Sequence, residues 1–167
     1  PKEKKYDLTL TICKSCRHVQ IKEKINPNLL FKKYLWETRI SKTNLKLIKD
    51  LDKNLSKISK IKGKSKILEI ASNDGSLLSY FKSRYKLEVL GVDPAMNLAK
   101  KANKQGIKTL PKYFSSKCAN LIKKKFGKYN FIFARNVIAH VIDPNEIFKG
   151  AKIVLKEKGF FIVEFPS

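Results

Sequence analysis

Residues 67–75 read Ile-Leu-Glu-Ile-Ala-Ser-Asn-Asp-Gly, and no other stretch limits the fold of this chain so tightly. Leu68 and Ile70 suit a buried strand, and Ser72–Gly75 suits a tight turn. Leu77, Leu78, Tyr80, Phe81 and Tyr85 then recur at helical spacing. Glu88–Asp93 reads as a second strand that ends in a carboxylate. A strand, a turn of small residues, a helix and an acid-ended strand form the unit in which open α/β sheets hold nucleotide-like ligands. The small turn lets a ligand approach the backbone and the N-terminus of the following helix. A purely structural βαβ turn is the competing reading.

From residue 66 onward the same alternation continues. Strands are expected over 66–71, 88–93, 107–110, 129–134 and 159–165, and helices over 76–85, 95–105, 115–125 and 143–156. That pattern predicts an α/β fold, a Rossmann-like doubly wound parallel sheet, for residues 63–167. Residues 1–27 differ: Tyr6–Ile12 alternates, Cys13-Lys-Ser-Cys16 forms a knuckle, and Val19-Gln-Ile21 returns. They read as a strand, a knuckle and a return strand, a small β unit to which the resemblance described below assigns part of a zinc-binding domain. Residues 28–62 read as a mainly helical arm, with Leu45, Ile48, Leu51, Leu55 and Ile58 as a stripe packed on the main domain. Lys57–Lys66, with Gly63, reads as a basic linker. The 167 residues suffice for one α/β core and a small appendage. The chain begins at Pro1 and stops just after a predicted core strand, so the expectation is a piece of a longer enzyme.

The glycine pattern narrows the ligand. A pyrophosphate fingerprint needs G-x-G-x-x-G, whereas Ala71-Ser-Asn-Asp-Gly75 ends in its single Gly and carries an acid at Asp74. Negative charge there disfavours a diphosphate and suits a cationic or zwitterionic ligand. S-adenosylmethionine, with its sulfonium, ammonium and carboxylate, is such a ligand. Four segments, Ser72-Asn73-Asp74-Gly75, Gly91-Val-Asp-Pro-Ala95, Asn136-Val-Ile-Ala-His-Val141 and Val163-Glu-Phe-Pro166, stand in order along the chain. In this the chain resembles the sugar C-methyltransferases, which act on nucleotide-activated deoxysugars. The resemblance implies an S-adenosylmethionine site at Glu69, Ala71, Ser72, Asn73, Asp74, Gly75, Asp93, Pro94 and Asn136. Phe114, following Tyr113, resembles the family's aromatic near the adenine; core packing of the two adjacent aromatics is the alternative. Two departures stand out. Ala71 replaces the family's Gly, and Glu37-Thr38-Arg39 stands where the family is Ser-rich, which leaves the sugar open.

Methylating carbon requires loss of a proton beside a carbonyl and attack on an electrophilic methyl. A general base near neutrality serves the first step, and donors to the enolate oxygen serve the second. His140 follows the strand 129–134, whose carboxyl end faces the crevice, and is the candidate base or orienting group; a structural His is the alternative. Tyr34, in Phe31-Lys-Lys-Tyr-Leu-Trp36, resembles the family's tyrosine segment that folds over the substrate; interdomain packing is the alternative. The family's own candidate base lies in a Glu-His segment beyond Val-Glu-Phe-Pro, past Ser167, so turnover by this chain alone is not expected.

Cys13 and Cys16 have the spacing of half a tetrahedral zinc site. His18 stands too near the knuckle for a third ligand, and Cys118 lies in a core helix. The resemblance implies a second cysteine pair upstream, which would make Cys13 and Cys16 zinc ligands. The alternatives are a reduced pair of surface thiols or, without a helix directly following, a redox motif.

The formal charge of +23 invites a nucleic-acid reading. Lysines outnumber arginines 33 to 4 and are scattered over every predicted element, without the Arg and aromatic interleaving of a nucleic-acid groove. The charge therefore argues for a solvated surface and against nucleic acid. No apolar run suits a bilayer or a signal peptide, and three cysteines without an even framework suggest a reducing, cytoplasmic setting. Two other classes compete: an RNA or other small-molecule methyltransferase, and a non-catalytic zinc-knuckle module confined to residues 1–62.

Overall fold

The computed structural model describes residues 5–61 and 63–165. Residues 1–4 of the expected zinc-binding part, Lys62 of the linker, Pro166 of the Val-Glu-Phe-Pro segment and Ser167 lie outside the described residues.

Leu10–Ile12 (β1) and Val19–Ile21 (β2) pair antiparallel, with Leu10 opposite Ile21 and Ile12 opposite Val19. The arm follows. Pro27–Phe31 (α1) starts with Pro at its first position and with Asn26 as its cap. Thr38–Ile40 makes one 3₁₀ turn, and Lys42–Ile58 (α2) is capped by Ser41. The arm is thus less helical than its composition suggests, because residues 32–37 run without regular structure. Its stripe also differs from the expectation. Ile48 and Leu55 are buried, but Leu45 and Ile58 are exposed, and Asp52 takes the centre of the buried face. That carboxylate accepts from the Tyr80 hydroxyl at 2.9 Å and the Tyr85 hydroxyl at 2.7 Å, and pairs with Arg84 at 2.8 Å. A buried carboxylate survives in a helix face when both of its oxygens meet donors, as here.

The core contains Lys66–Ile70 (β3), Ser76–Tyr85 (α3), Glu88–Val92 (β4), Met96–Lys104 (α4), Thr109–Leu110 (β5), Ser116–Phe126 (α5), Tyr129–Arg135 (β6), Pro144–Val154 (α6) and Leu155–Glu164 (β7). The strands form one parallel sheet in the order β5-β4-β3-β6-β7. Ile67, Leu68 and Ile70 of β3 are almost wholly buried, as an apolar run in a central parallel strand must be. Leu68, Ile70 and Ile132 pack with Ala119 and Ile122 of α5 and with Ile147 and Ala151 of α6. Ile67, Phe131 and Phe133 pack on the other face with Leu77 and Phe81 of α3, and with Ile48 and Leu55 of the arm. Helices therefore cover both faces, which confirms the doubly wound, Rossmann-like architecture. The predicted helix 143–156 ends at Val154, and β7 begins directly at Leu155. The register is irregular between Tyr129 and Phe131, and a side chain on Gly159 would meet Leu155 Cδ1 at 2.8 Å. Glycine thus lets the strand bulge back over Leu155.

Strand order reverses between β3 and β6, and in open α/β sheets the crevice outside the carboxyl ends at such a reversal is where ligands bind. Here that point lies between Ile70 and Arg135.

Candidate active site

The turn after β3 is built from left-handed backbone. Ala71 (φ 55°), Asn73 (φ 51°) and Gly75 (φ 77°) all have positive φ. At Gly75 a side chain would also meet Ile107 Cγ2 at 2.9 Å, so both conformation and space call for glycine. Ser72 N donates to Val92 O at 3.2 Å, which ties the turn to β4. There the strand presents bare backbone, since a side chain on Gly91 would run into Ser72 Oγ. Asp93 closes the strand as expected. Its Oδ2 accepts from Asn73 N at 2.7 Å and its Oδ1 from Ala95 N at 2.8 Å, a loop bent around Pro94. Burial raises the Asp93 carboxyl to about 6, although the amides of Ala95 and Asn73 oppose the shift.

Glu69 lies on the crevice floor, 2% exposed. Burial raises its carboxyl to about 7 against the opposing charge of Arg135, and the charges of Asp93 and Asp74 push it the same way as burial. Arg135, at the end of β6, reaches Glu69 Oε1 with Nη2 at 3.2 Å and Nε at 3.3 Å. Glu69 Oε2 and Ser72 Oγ are buried without a hydrogen-bond partner among the described residues. The unsatisfied oxygens of Glu69 and Ser72, beside the Asp93 carboxyl, make a floor that fits a cation carrying hydrogen-bond donors.

The other two turn residues face outward. Asn73 Oδ1 accepts from Thr38 N at 3.0 Å, and its Nδ2 donates to Trp36 O at 3.1 Å. Asp74 Oδ2 accepts from Arg39 N at 3.0 Å, while Oδ1 accepts from Ser76 N at 3.1 Å and Ser76 Oγ at 2.6 Å. Their side chains therefore hold the arm and the first turn of α3. The arm is fastened twice more. Asn97 exchanges two hydrogen bonds with the Tyr34 backbone, at 3.2 and 2.7 Å, and Lys101 Nζ pairs with Glu37 at 2.6 Å.

Tyr34 and His140 come from opposite ends of the chain and meet around one ring. Phe31 lies 6.2 Å from Tyr34 and 6.3 Å from His140, centroid to centroid. His140 ends the 3₁₀ turn Ile138–His140 and is exposed. Asn136 also has positive φ, 51°, and both its backbone N and its Nδ2 donate to Glu164, each at 2.9 Å. Its side chain thus braces β6 against β7. Phe114 packs beneath α6, where a side chain on Gly150 would meet its Cε1 at 2.7 Å. The half-exposed neighbour Tyr113 has its phenol raised by burial and then by the charge of Asp93, so Tyr113 is the aromatic that senses the crevice acid. Arg135 and Tyr113 were not singled out from sequence. A charged residue ending a predicted central strand is the signal that could have found Arg135.

At the knuckle, Cys13 N donates to His18 O and Arg17 N to Cys13 O, both at 2.9 Å. Hydrogen bonds from the backbone, chiefly at Cys16 and then at Ser15, hold the Cys13 thiol below its ordinary value. Among the described residues no group of three or more Cys, His, Asp or Glu side chains is placed to hold a metal ion, there or elsewhere. The pair therefore fits only half of a tetrahedral zinc shell. No helix among the described residues is long and apolar enough to cross a membrane.

A family model described as a methyltransferase domain matches residues 43–167. The C-methyltransferase NovU of Streptomyces niveus is 29% identical over 162 residues, covering 96% of this chain and 38% of that protein. The chain thus spans about two fifths of the length of the curated relative it matches. A crystal structure from Galdieria sulphuraria, provisionally named a sarcosine dimethylglycine methyltransferase, superposes with a TM-score of 0.59 at 18% identity, covering 72% of this chain and 46% of that one. An S-adenosylmethionine-dependent methyltransferase from Geobacter sulfurreducens, solved with S-adenosyl-L-homocysteine, gives 0.55 at 11% identity over 70% of this chain and 46% of that one. At such identities these two structures speak for the fold.

Proposed function

Because this chain belongs to the methyltransferase-domain family, we propose that it binds S-adenosylmethionine in the crevice between β3 and β6 and serves the methylation of a carbon atom in a nucleotide-linked keto-deoxysugar. The observation that carries the reading is the acidic crevice floor: Asp93 ends β4 beside the left-handed turn, and Glu69 Oε2 lies buried and unpartnered. Identity to a C-methyltransferase over nearly the whole chain supports the carbon acceptor.

In this reading Asp93 accepts the ribose hydroxyls, the backbone of Ala71–Gly75 lies against the cofactor, and Glu69 meets its ammonium. Bound there, S-adenosylmethionine supplies an electrophilic methyl. His140 takes the proton from the carbon beside the keto group, or orients that group. The Tyr34 hydroxyl donates to the oxygen on which charge develops. Cys13 and Cys16 supply two thiolates to a structural zinc, with the remaining ligands outside the described residues. The lysine-rich surface is solvent-facing, and the free cysteines fit a reducing, cytoplasmic setting.

Titration calorimetry with S-adenosylhomocysteine tests the cofactor site. Asp93→Ala should cost about 1.5–3 kcal/mol of binding if the ribose bonds are charge-assisted. Unchanged affinity in that variant sinks the assignment.

A further inference from the structure

The turn that faces the crevice is held from behind by the arm. Ala71 and Asn73 carry a Cβ in left-handed backbone, a conformation that persists where the surroundings over-determine it. The surroundings that do so here are backbone groups of residues 36–39. Thr38 N and Arg39 N donate to the side chains of Asn73 and Asp74, and Trp36 O accepts from Asn73 Nδ2. On its other side, Asn73 N donates to Asp93 Oδ2. Asn73 therefore stands between the acid that ends β4 and the segment that carries Tyr34. Asn97 and Lys101 fasten that segment to α4, so it is anchored on both sides of the turn.

We propose that residues 36–39 are the positioning brace of the cofactor turn, and that crevice occupancy and the seating of Tyr34 are coupled through Asn73. This rests on the cofactor reading given above. The coupling is reciprocal: a ligand that fixes the turn must tighten the arm, and an arm that is released must weaken the ligand. Asn73, Asp74 and Thr38 act here through the backbone they hold, without touching the acceptor.

Trp36 is the single tryptophan of the chain, so emission excited beyond the absorption of the tyrosines reports on the arm. The full chain is titrated with S-adenosylhomocysteine while heat and Trp36 emission are both recorded, for the wild type, Asn73→Gly and Thr38→Pro. Glycine adopts φ 51° freely, so Asn73→Gly removes both bonds to the arm, together with the bond from Asp74 N to Asn73 Oδ1 at 2.8 Å, without straining the backbone; Thr38→Pro leaves that local bond in place. Thr38→Pro removes the N–H from the arm side. It does so at the first residue of the 3₁₀ turn, after Glu37 in extended backbone (φ −121°, ψ 134°), where a proline ring fits. Circular dichroism checks that each variant is folded.

The expected result is a wild-type emission change that tracks the calorimetric isotherm. Both variants should lose that change and bind about 5- to 20-fold more weakly. Wild-type affinity in a folded variant, or a silent Trp36 on a wild-type chain that binds, overturns the coupling and leaves the cofactor reading intact. A wild-type chain that does not bind S-adenosylhomocysteine overturns the cofactor reading, and the coupling with it.

Discussion

Glu69→Gln separates charge from shape on the crevice floor. Glutamine keeps the length of the side chain and an oxygen for Arg135, but it cannot ionise. In the folded chain the Glu69 carboxyl is raised from 4.5 to about 7, by burial first. Between those two values the folded state holds a proton that the unfolded state has lost. Stability contributed by the protonated form is therefore complete below the lower value and drains away as pH rises to the upper one. The gap, 7 minus 4.5, is about 2.5 units, which at 1.36 kcal/mol per unit is roughly 3 kcal/mol. Asp93, raised to about 6, adds a slope of the same sign in both proteins, so the difference between them isolates Glu69 together with its coupling to Asp93. Urea unfolding at about pH 5 and about pH 7.5 should show the wild type losing on the order of 3 kcal/mol relative to Glu69→Gln. The loss of a counter-charge for Arg135 offsets the whole variant curve without changing its slope. Parallel pH profiles for the two proteins would refute the reasoning, because they would mean that Arg135 keeps Glu69 ionised throughout. Under the proposed function the ligand adds a second readout: S-adenosylhomocysteine affinity should rise with pH over this window in both proteins, and more steeply in the wild type, because in the variant only Asp93, raised to about 6, still titrates there.

Two further substitutions probe the arm and the chemistry. Asp52→Ala strips the acceptor from the Tyr80 and Tyr85 hydroxyls and the partner from Arg84, and should destabilise the chain by roughly 2–4 kcal/mol in urea unfolding. A loss under about 1 kcal/mol would show that α2 is held by Ile48 and Leu55 alone. His140→Ala, assayed in the full enzyme, should lower turnover by roughly 10²–10⁴-fold with little change in S-adenosylhomocysteine affinity, as a proton-transfer group acts on the transition state. A fall of less than about threefold would assign His140 a structural role.

The fold was legible because each core strand announces itself locally. Buried parallel strands are apolar on both faces, and the intervening helices carry clean stripes, so the alternation from Lys66 to Glu164 could be read without tertiary information. Boundaries were lost where tertiary contacts decide them. Leu155 pairs with Tyr129, and Gly159 folds back on it, so α6 ends two residues before its apolar spacing does. In the arm, periodicity pointed at Leu45 and Ile58, while the buried face instead centres on Asp52. An acid is silent to a hydrophobic count, and its three partners lie about 30 residues away. The crevice acids were legible through strand ends and glycine spacing. The outward turn of the Asn73 and Asp74 side chains was not, since their partners are amides and a carbonyl in the arm, and backbone groups leave no trace in residue identity.

The charge distribution gives the same site two different roles at two distances. The chain carries 37 basic residues against 14 acidic ones, and two of those acids, Glu69 and Asp93, stand at one crevice where both are buried. Exposed charges are largely screened beyond a Debye length of about 8 Å, so the lysines favour an anion once it has come within that distance of the surface. Within the crevice the low dielectric strengthens the nearby carboxylates, and the local preference is for a cation. Under the proposed function, that change of sign distinguishes a nucleotide-linked sugar, anionic through its diphosphate, from S-adenosylmethionine, cationic at sulfur. The lysine excess that first suggests nucleic acid is thus compatible with a small anionic acceptor drawn toward a crevice that reserves its floor for the positively charged cofactor.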